Sequence, residues 1–184
     1  MSQYLPTGGF EWVSLQNASP EYWTQFIMEQ QDEQEKGYMV EVDLQYPREL
    51  HDLHDTYPLA PEHLDIKHEM LSTYQKIQAE ELGVKVGGEK LCLTLTDKKK
   101  YISHYRNIKQ YLDLGLKITK VHRVLKFNQS PWLAKYIQLN TCLRQKATSK
   151  FEEDFFKLMN NSFFGKVSLK INFDKSNYLI ISDL

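Results

Sequence analysis

Apolar residues recur along the chain at two periods, and the switches between them mark out the elements. Ser19-Pro20 opens a helix predicted from Pro20 to about Gln34, since Pro suits the first helical position and Trp23, Phe26 and Ile27 form an apolar stripe. The acidic run EQQDEQEK closes it and Gly37 stops it. From Tyr38 to Tyr46 the period becomes two. Tyr38, Val40, Val42, Leu44 and Tyr46 fall on one side and Met39, Glu41, Asp43 and Gln45 on the other, which predicts a half-buried strand. A helical pattern returns from Met70 to Leu82, followed by a flexible break around Gly83, Gly87 and Gly88. KLCLTLTD predicts another strand, KKKYISHYRN leads into a short helix NIKQYLDLG closed by Gly115, and LKITKVHRVLKF alternates again with basic residues on both faces.

The last third carries the clearest helical signals. Ser130 is a natural N-cap with Pro131 behind it, so a helix is predicted from Pro131 to about Ala147. Ser149 and Glu152 have capping-box spacing and start a second helix. With so short a connection, the two must fold back as an antiparallel hairpin. On the second helix Phe151, Phe155, Leu158, Met159 and Ser162 are the predicted packing seam. Lys150, Asp154, Lys157, Asn161 and Phe164 line another face. There an ammonium, an amide and a flat ring suit a phosphate, a base edge and a stacked ring, and Lys135, Arg144, Lys146 and Lys150 add cations.

Both helices and strands are predicted, and the expected class is α+β. A chain of 184 residues is about one domain, or a piece of something larger. No apolar run approaches the roughly 18 residues of a membrane span, so no membrane contact is expected. Met1 to Phe10 lacks the basic start and apolar core of a secretory signal, which predicts an intracellular protein, nuclear or cytoplasmic and not secreted. Cys92 and Cys142 form no Cys-x-x-Cys pattern and argue against a zinc ribbon or disulfide framework.

Net charge changes the picture more. The total is -1, yet residues 1–84 hold 4 Lys/Arg against 16 Asp/Glu (net -12) and residues 85–184 hold 19 against 8 (net +11). That asymmetry fits a C-terminal part facing a polyanion, or two halves that attract each other.

His51, His54, His63 and His68 stand among carboxylates and invite thought of a metal site. Their spacing lacks a third ligand at a recognisable interval, and Pro58 and Pro61 make the segment extended, so a polar loop packed by Tyr57, Leu59 and Leu64 is expected.

The phrase KLMNNSFFGK, Lys157 to Lys166, is more specific than its spacing alone. It resembles the Lys-x-x-x-Asn-Ser-x-(Tyr/Phe)-Gly motif on the fingers helix of family B DNA polymerases. The variant is similar to the protein-primed branch of phages, adenoviruses and self-synthesising (Polinton/Maverick) transposons. SQYLPTGGFEW, GYMVEVDLQYPRELHDLHDTYPLAPE and HYRNIKQYLDLGLKITKVHRVLKFNQSPWL resemble the transposon-type members too, so the likeness covers nearly the whole chain.

The resemblance implies partial palm strands with an insertion, followed by a two-helix fingers hairpin. It divides the chain into an acidic palm-insertion segment (1–88), basic palm strands (89–128), the fingers hairpin (129–166) and a diverged tail (167–184). By resemblance Lys157 contacts the triphosphate, Asn161, Ser162 and Phe164 shape the pocket around the nascent base pair, and Gly165 lets backbone and DNA approach closely. Phe164 stands where the wider family usually has Tyr, so any role for that hydroxyl is absent. A further cation on the preceding helix is implied, either Arg144 or Lys146.

The implied parent reaction adds a deoxynucleotide to a primer end or a protein hydroxyl, with Mg²⁺, DNA template-primer, dNTP and a possible terminal protein primer as partners. Both metal-binding carboxylate motifs are expected outside this chain, and Asp43, in EVDLQYP, only mimics one. A fragment that binds nucleotide and DNA but is inactive and metal-free alone is therefore expected. A non-catalytic nucleic-acid-binding remnant is the alternative.

Overall fold

A computed structural model of the chain describes residues 2–15, 19–85, 87–173 and 179–181, with side chains described as far as residue 163. The elements in order are β1 (Leu5–Trp12), α1 (Pro20–Glu29), β2 (Lys36–Gln45), β3 (Glu62–Asp65), α2 (Thr73–Glu81), β4 (Glu89–Cys92), β5 (Lys98–His104), α3 (Tyr105–Asp113), β6 (Lys117–Ser130), α4 (Ala134–Gln145), α5 (Lys150–Lys170), β7 (Ile171–Phe173) and β8 (Leu179–Ile181). The chain divides into two compact units, one of Gly9–Asp32 and Lys36–Phe127, the other of Met1–Gly8, Glu33–Glu35 and Asn128–Leu184.

In the larger unit a sheet of order β1-β6-β2-β5 carries the core. Strands β2 and β5 run antiparallel from Met39 opposite His104 to Leu44 opposite Lys98, with the register shifting between Val42 and Leu44. Partners of β6 run downward in number as β2 runs upward: Arg123 meets Glu41 and His122 meets Asp43. Against β1, Phe127 meets Phe10 and Lys126 meets Glu11, again antiparallel. The class is thus mixed α and β around an antiparallel sheet, as the alternation of periods predicts.

Val40, Val42 and Leu44 of β2 are 0 to 1% exposed and pack with Trp23 and Ile27 of α1, Ile108 of α3 and Val124 of β6. Each fully buried aliphatic side chain of this size contributes about 1.5–3 kcal/mol. Glu41 and Asp43 alternate with them onto the other side of the strand, as the period of two requires.

Helix α1 stops at Glu29, short of the predicted Gln34. The carbonyls beyond it have other partners: that of Gln30 accepts the Lys109 ammonium at 2.6 Å and that of Gln31 accepts the Tyr105 hydroxyl at 2.7 Å. Residues from α3 thereby replace a further helical turn. KKKYISH, read from sequence as a lead into a helix, is strand β5 instead. Lys98 begins it fully buried, its ammonium 2.7 Å from Glu62 and 3.1 Å from the Thr94 carbonyl, so the charge is compensated where it sits. The predicted strand KLCLTLTD shortens to β4 because Thr94 turns to hold Lys98.

After β2 the chain leaves the four-stranded sheet and forms a second, two-stranded one. Its strands β3 and β4 pair antiparallel from Glu62 opposite Cys92 to Asp65 opposite Glu89, and α2 lies between them in sequence with Ser72 and Gln75 forming a capping box. In the histidine-rich loop before it, the Tyr46 hydroxyl rather than Tyr57 is the anchor. It lies 2.8 Å from Nδ1 of buried His54 and accepts the Leu59 N–H at 3.2 Å, while Tyr57 is exposed.

Part of the charge asymmetry is used internally. Glu11, Asp32, Glu41, Asp43 and Glu62 from the acidic half face Lys126, Arg106, Arg123, His122 and Lys98 from the basic half.

In the second unit Gln129, 2% exposed, donates its backbone N–H to the Glu35 carbonyl at 2.8 Å and its side-chain amide to that of Gln34 at 2.9 Å. Helices α4 and α5 follow as an antiparallel pair. No helix among the described residues is long and apolar enough to cross a membrane.

Candidate functional site

Helix α4 begins at Ala134 rather than Pro131, because β6 continues to Ser130 and Pro131 to Leu133 make a turn in which the Ala134 N–H reaches the Pro131 carbonyl at 3.0 Å. It ends at Gln145. Ser149 caps α5 as its position predicts, its hydroxyl accepting the Glu152 N–H at 3.2 Å. Glu152 reaches back one residue further than a capping box requires, accepting from the N–H of Thr148 at 2.9 Å and from its hydroxyl at 3.2 Å. Those hydrogen bonds, the backbone one first, hold the Glu152 carboxyl below its ordinary range and tie down the turn.

The face of α5 that meets α4 differs from the expected seam. Phe151, Phe155 and Leu158 are 78%, 46% and 62% exposed, the two Phe rings stacked on each other at 6.4 Å. Of the expected seam Met159 does point inward, and Phe156, Asn160 and Phe163 join it there. Phe163 sits against Trp132 at 5.8 Å and Tyr136 at 5.6 Å, and the amide of Asn140, 5% exposed, donates to Asn160 at 2.9 Å. The Tyr136 hydroxyl adds a long bond to the Met159 carbonyl at 3.4 Å. Two apolar stripes coexist on α5, and the one that meets Trp132, Tyr136 and Asn140 is the one turned inward.

With this phase, Lys157 and Asn161 lie roughly 100° and 140° around the helix from Phe156. Both are exposed, and Lys157 has neither an ion pair nor a hydrogen bond among the described residues. Lys150 and Asp154 share that flank. Ser162 is exposed, and its hydroxyl donates to the Met159 carbonyl of its own helix at 3.1 Å. The side chain of Phe164 and the surroundings of Gly165 lie outside the described residues.

Of the two cations offered by α4, Arg144 is already engaged. Its guanidinium donates to Glu153 at 3.0 Å, and Lys150 approaches the same carboxylate at 3.2 Å. The Arg144 bond first, then that of Lys150, holds the Glu153 carboxyl below its ordinary range. Glu153 lies one turn before Lys157, so the pair adjoins the Lys157 flank. Lys146, at the end of α4, is exposed and has no ion pair among the described residues.

A divalent metal finds no fitting donor set here. The described residues contain no group of three or more His, Cys, Asp or Glu placed to hold an ion. One oxygen of Asp43 accepts the Lys100 N–H at 2.8 Å and faces His122 at 2.8 Å, and the other faces Lys99 at 3.7 Å. Cations and donors occupy the directions a metal would need.

Helical spacing and the family resemblance identified Lys157, Asn161, Arg144 and Lys146 as candidates but missed Asn140, Asn160 and Phe163, which lie in the contact between α4 and α5. One signal was present. Asn140 follows Leu133, Tyr136 and Ile137 at helical intervals, a polar residue on an apolar stripe.

No curated protein and no solved structure gives a significant match to the chain. The model of DNA polymerase type B, organellar and viral, matches residues 18–184, which takes in every element from α1 onward, including β2, β5 and β6 of the sheet and both helices of the hairpin. A chain matched over that span belongs to the type B DNA polymerases of organelles and viruses.

Proposed function

We propose that this chain is the part of a protein-primed type B polymerase that holds palm strands, their insertion and the fingers hairpin, and that the hairpin binds the incoming dNTP. Lys157 takes the triphosphate, while Asn161, Ser162, Phe164 and Gly165 form the wall beside the nascent base pair. Arg144 or Lys146 supplies the second cation. The sheet unit and its insertion serve template-primer DNA and a terminal protein primer, inside the cell.

One observation carries this: in the family-matched hairpin, Lys157 and Asn161 stand exposed on one flank, one turn apart, and Lys157 has no partner among the described residues. An ammonium left unpaired beside an amide offers a charge-assisted bond to an anionic ligand. Phosphoryl transfer in such enzymes relies on metal ions about 3.5–4 Å apart that clamp the attacking and leaving oxygens. By this reading the chain alone binds without catalysing.

The test is calorimetric titration of the chain with Mg·dATP, and of Lys157→Ala. Losing a charge-assisted bond of about 1.5–3 kcal/mol predicts roughly 10- to 150-fold weaker nucleotide binding, with duplex DNA affinity nearly unchanged. Equal loss of both would reassign Lys157 to DNA. Nucleotide incorporation by the chain alone, with primer, template and Mg²⁺, would refute the inactivity.

A further inference from the structure

Helix α5 could bury either of two apolar sets. Phe151, Phe155 and Leu158 make one, and Phe156, Met159 and Phe163 make the other, about 100° away around the helix. Each has two Phe and one more large side chain, so burial area alone discriminates poorly. Directional contacts do discriminate. Asn140, 5% exposed, has its amide bonded to Asn160 at 2.9 Å, and turning α5 to bury Phe155 and Leu158 would carry Asn160 away. The Asn140 amide would then be buried without its partner, a cost of the full desolvation of that group. Turning α5 would also swing Lys157 and Asn161 to the opposite flank of the hairpin.

We infer that Asn140 and Asn160 are positioning residues: their amide bond selects the rotational phase of α5 and so presents Lys157 and Asn161 to the nucleotide. The nucleotide half of this inference rests on the function proposed above; the phase half does not. A polar pair in an otherwise apolar seam is the device by which coiled coils fix register.

The experiment separates the two halves. In a background with Cys92→Ser and Cys142→Ser, a cysteine is introduced as Lys157→Cys or Phe156→Cys and its maleimide labelling rate measured. Position 157 is expected to label much faster than 156. Adding Asn140→Leu with Asn160→Leu, which removes both polar partners together, should narrow that ratio by about ten-fold or more, equivalent to about 1.4 kcal/mol. The same leucine pair in the chain with Lys157 intact should weaken Mg·dATP binding to the level of Lys157→Ala. Asn160→Asp keeps the acceptor and should preserve both the labelling ratio and the affinity.

A labelling ratio unchanged by the leucine pair overturns the inference, whatever nucleotide does. A ratio lost in a chain that never bound nucleotide upholds the phase selection and refutes the nucleotide reading. A ratio lost with nucleotide affinity intact refutes the positioning of Lys157. Should the leucine pair fail to fold, Asn160→Asp still decides: a loss as large as that of Asn160→Leu alone overturns the inference.

Discussion

Nε2 of His122 lies 2.8 Å from Oδ1 of Asp43, the same oxygen that accepts the backbone N–H of Lys100 at 2.8 Å. One carboxylate thus links three strands, β2, β5 and β6, at the point where the β2–β5 register shifts. Lys100 has φ 52, a left-handed conformation that a lysine adopts only at some cost, and its N–H is held there by Asp43. Burial pushes the Asp43 carboxyl up, but the Lys100 N–H, then His122 and Lys99, outweigh it and leave the group below its ordinary range.

Because the folded pKa is depressed, Asp43 stabilises the fold above its unfolded value of about 3.9 and loses that contribution as pH falls through the lower folded value. Asp43→Asn is expected to cost about 1–3 kcal/mol at pH 7. The difference should shrink steadily below about pH 4. Urea unfolding of both chains at several pH values measures it, and a gap that stays constant into acid would mean the carboxylate charge is irrelevant.

Gly115, after α3, has φ +100, and a Cβ there would come within 2.8 Å of Leu50 Cδ1. Gly115→Ala meets both a disfavoured backbone and a crowded side chain, so a loss of about 1–3 kcal/mol is expected. The urea midpoint should fall with the slope unchanged. A midpoint equal to that of the parent would show that both Leu50 and the turn relax.

Arg144 is held by Glu153, while Lys146 has no ion pair among the described residues. Lys146→Ala should therefore weaken Mg·dATP binding more than Arg144→Ala, and Glu153→Gln should raise the contribution of Arg144. Titration of the three variants ranks them. The reverse order would mean the Arg144 pair opens on binding and Arg144 is the second triphosphate cation.

Polyanion binding should respond to salt less steeply than the +11 charge of residues 85–184 suggests. Lys98, Lys99, Arg106, Arg123 and Lys126 face internal carboxylates, leaving Lys117, Lys120, Lys135, Lys146 and Lys157 among those without an ion pair in the described residues. A few phosphate contacts, each contributing a slope of about -0.9 in log K against log salt, are expected for duplex DNA. Filter binding from 50 to 200 mM salt measures the slope. A slope near -10 would mean that roughly eleven phosphates are neutralised rather than a few, and would overturn this expectation.

Local patterns in the sequence were enough for α2, α3, the β2 and β6 alternations and the capping of α5 by Ser149, because each depends on residues a few positions apart, but they did not show β1 or β3. Residues far apart in the chain decided the rest. Whether α1 ran on to Gln34 depended on Lys109 and Tyr105, whether KKKYISH was a strand depended on β2 and on Glu62, and which stripe of α5 was buried depended on Trp132, Tyr136 and Asn140. The chain's own periodicity offered two nearly equal faces on α5, and only a partner helix with directional hydrogen bonds could choose between them, since burial of apolar area is not directional.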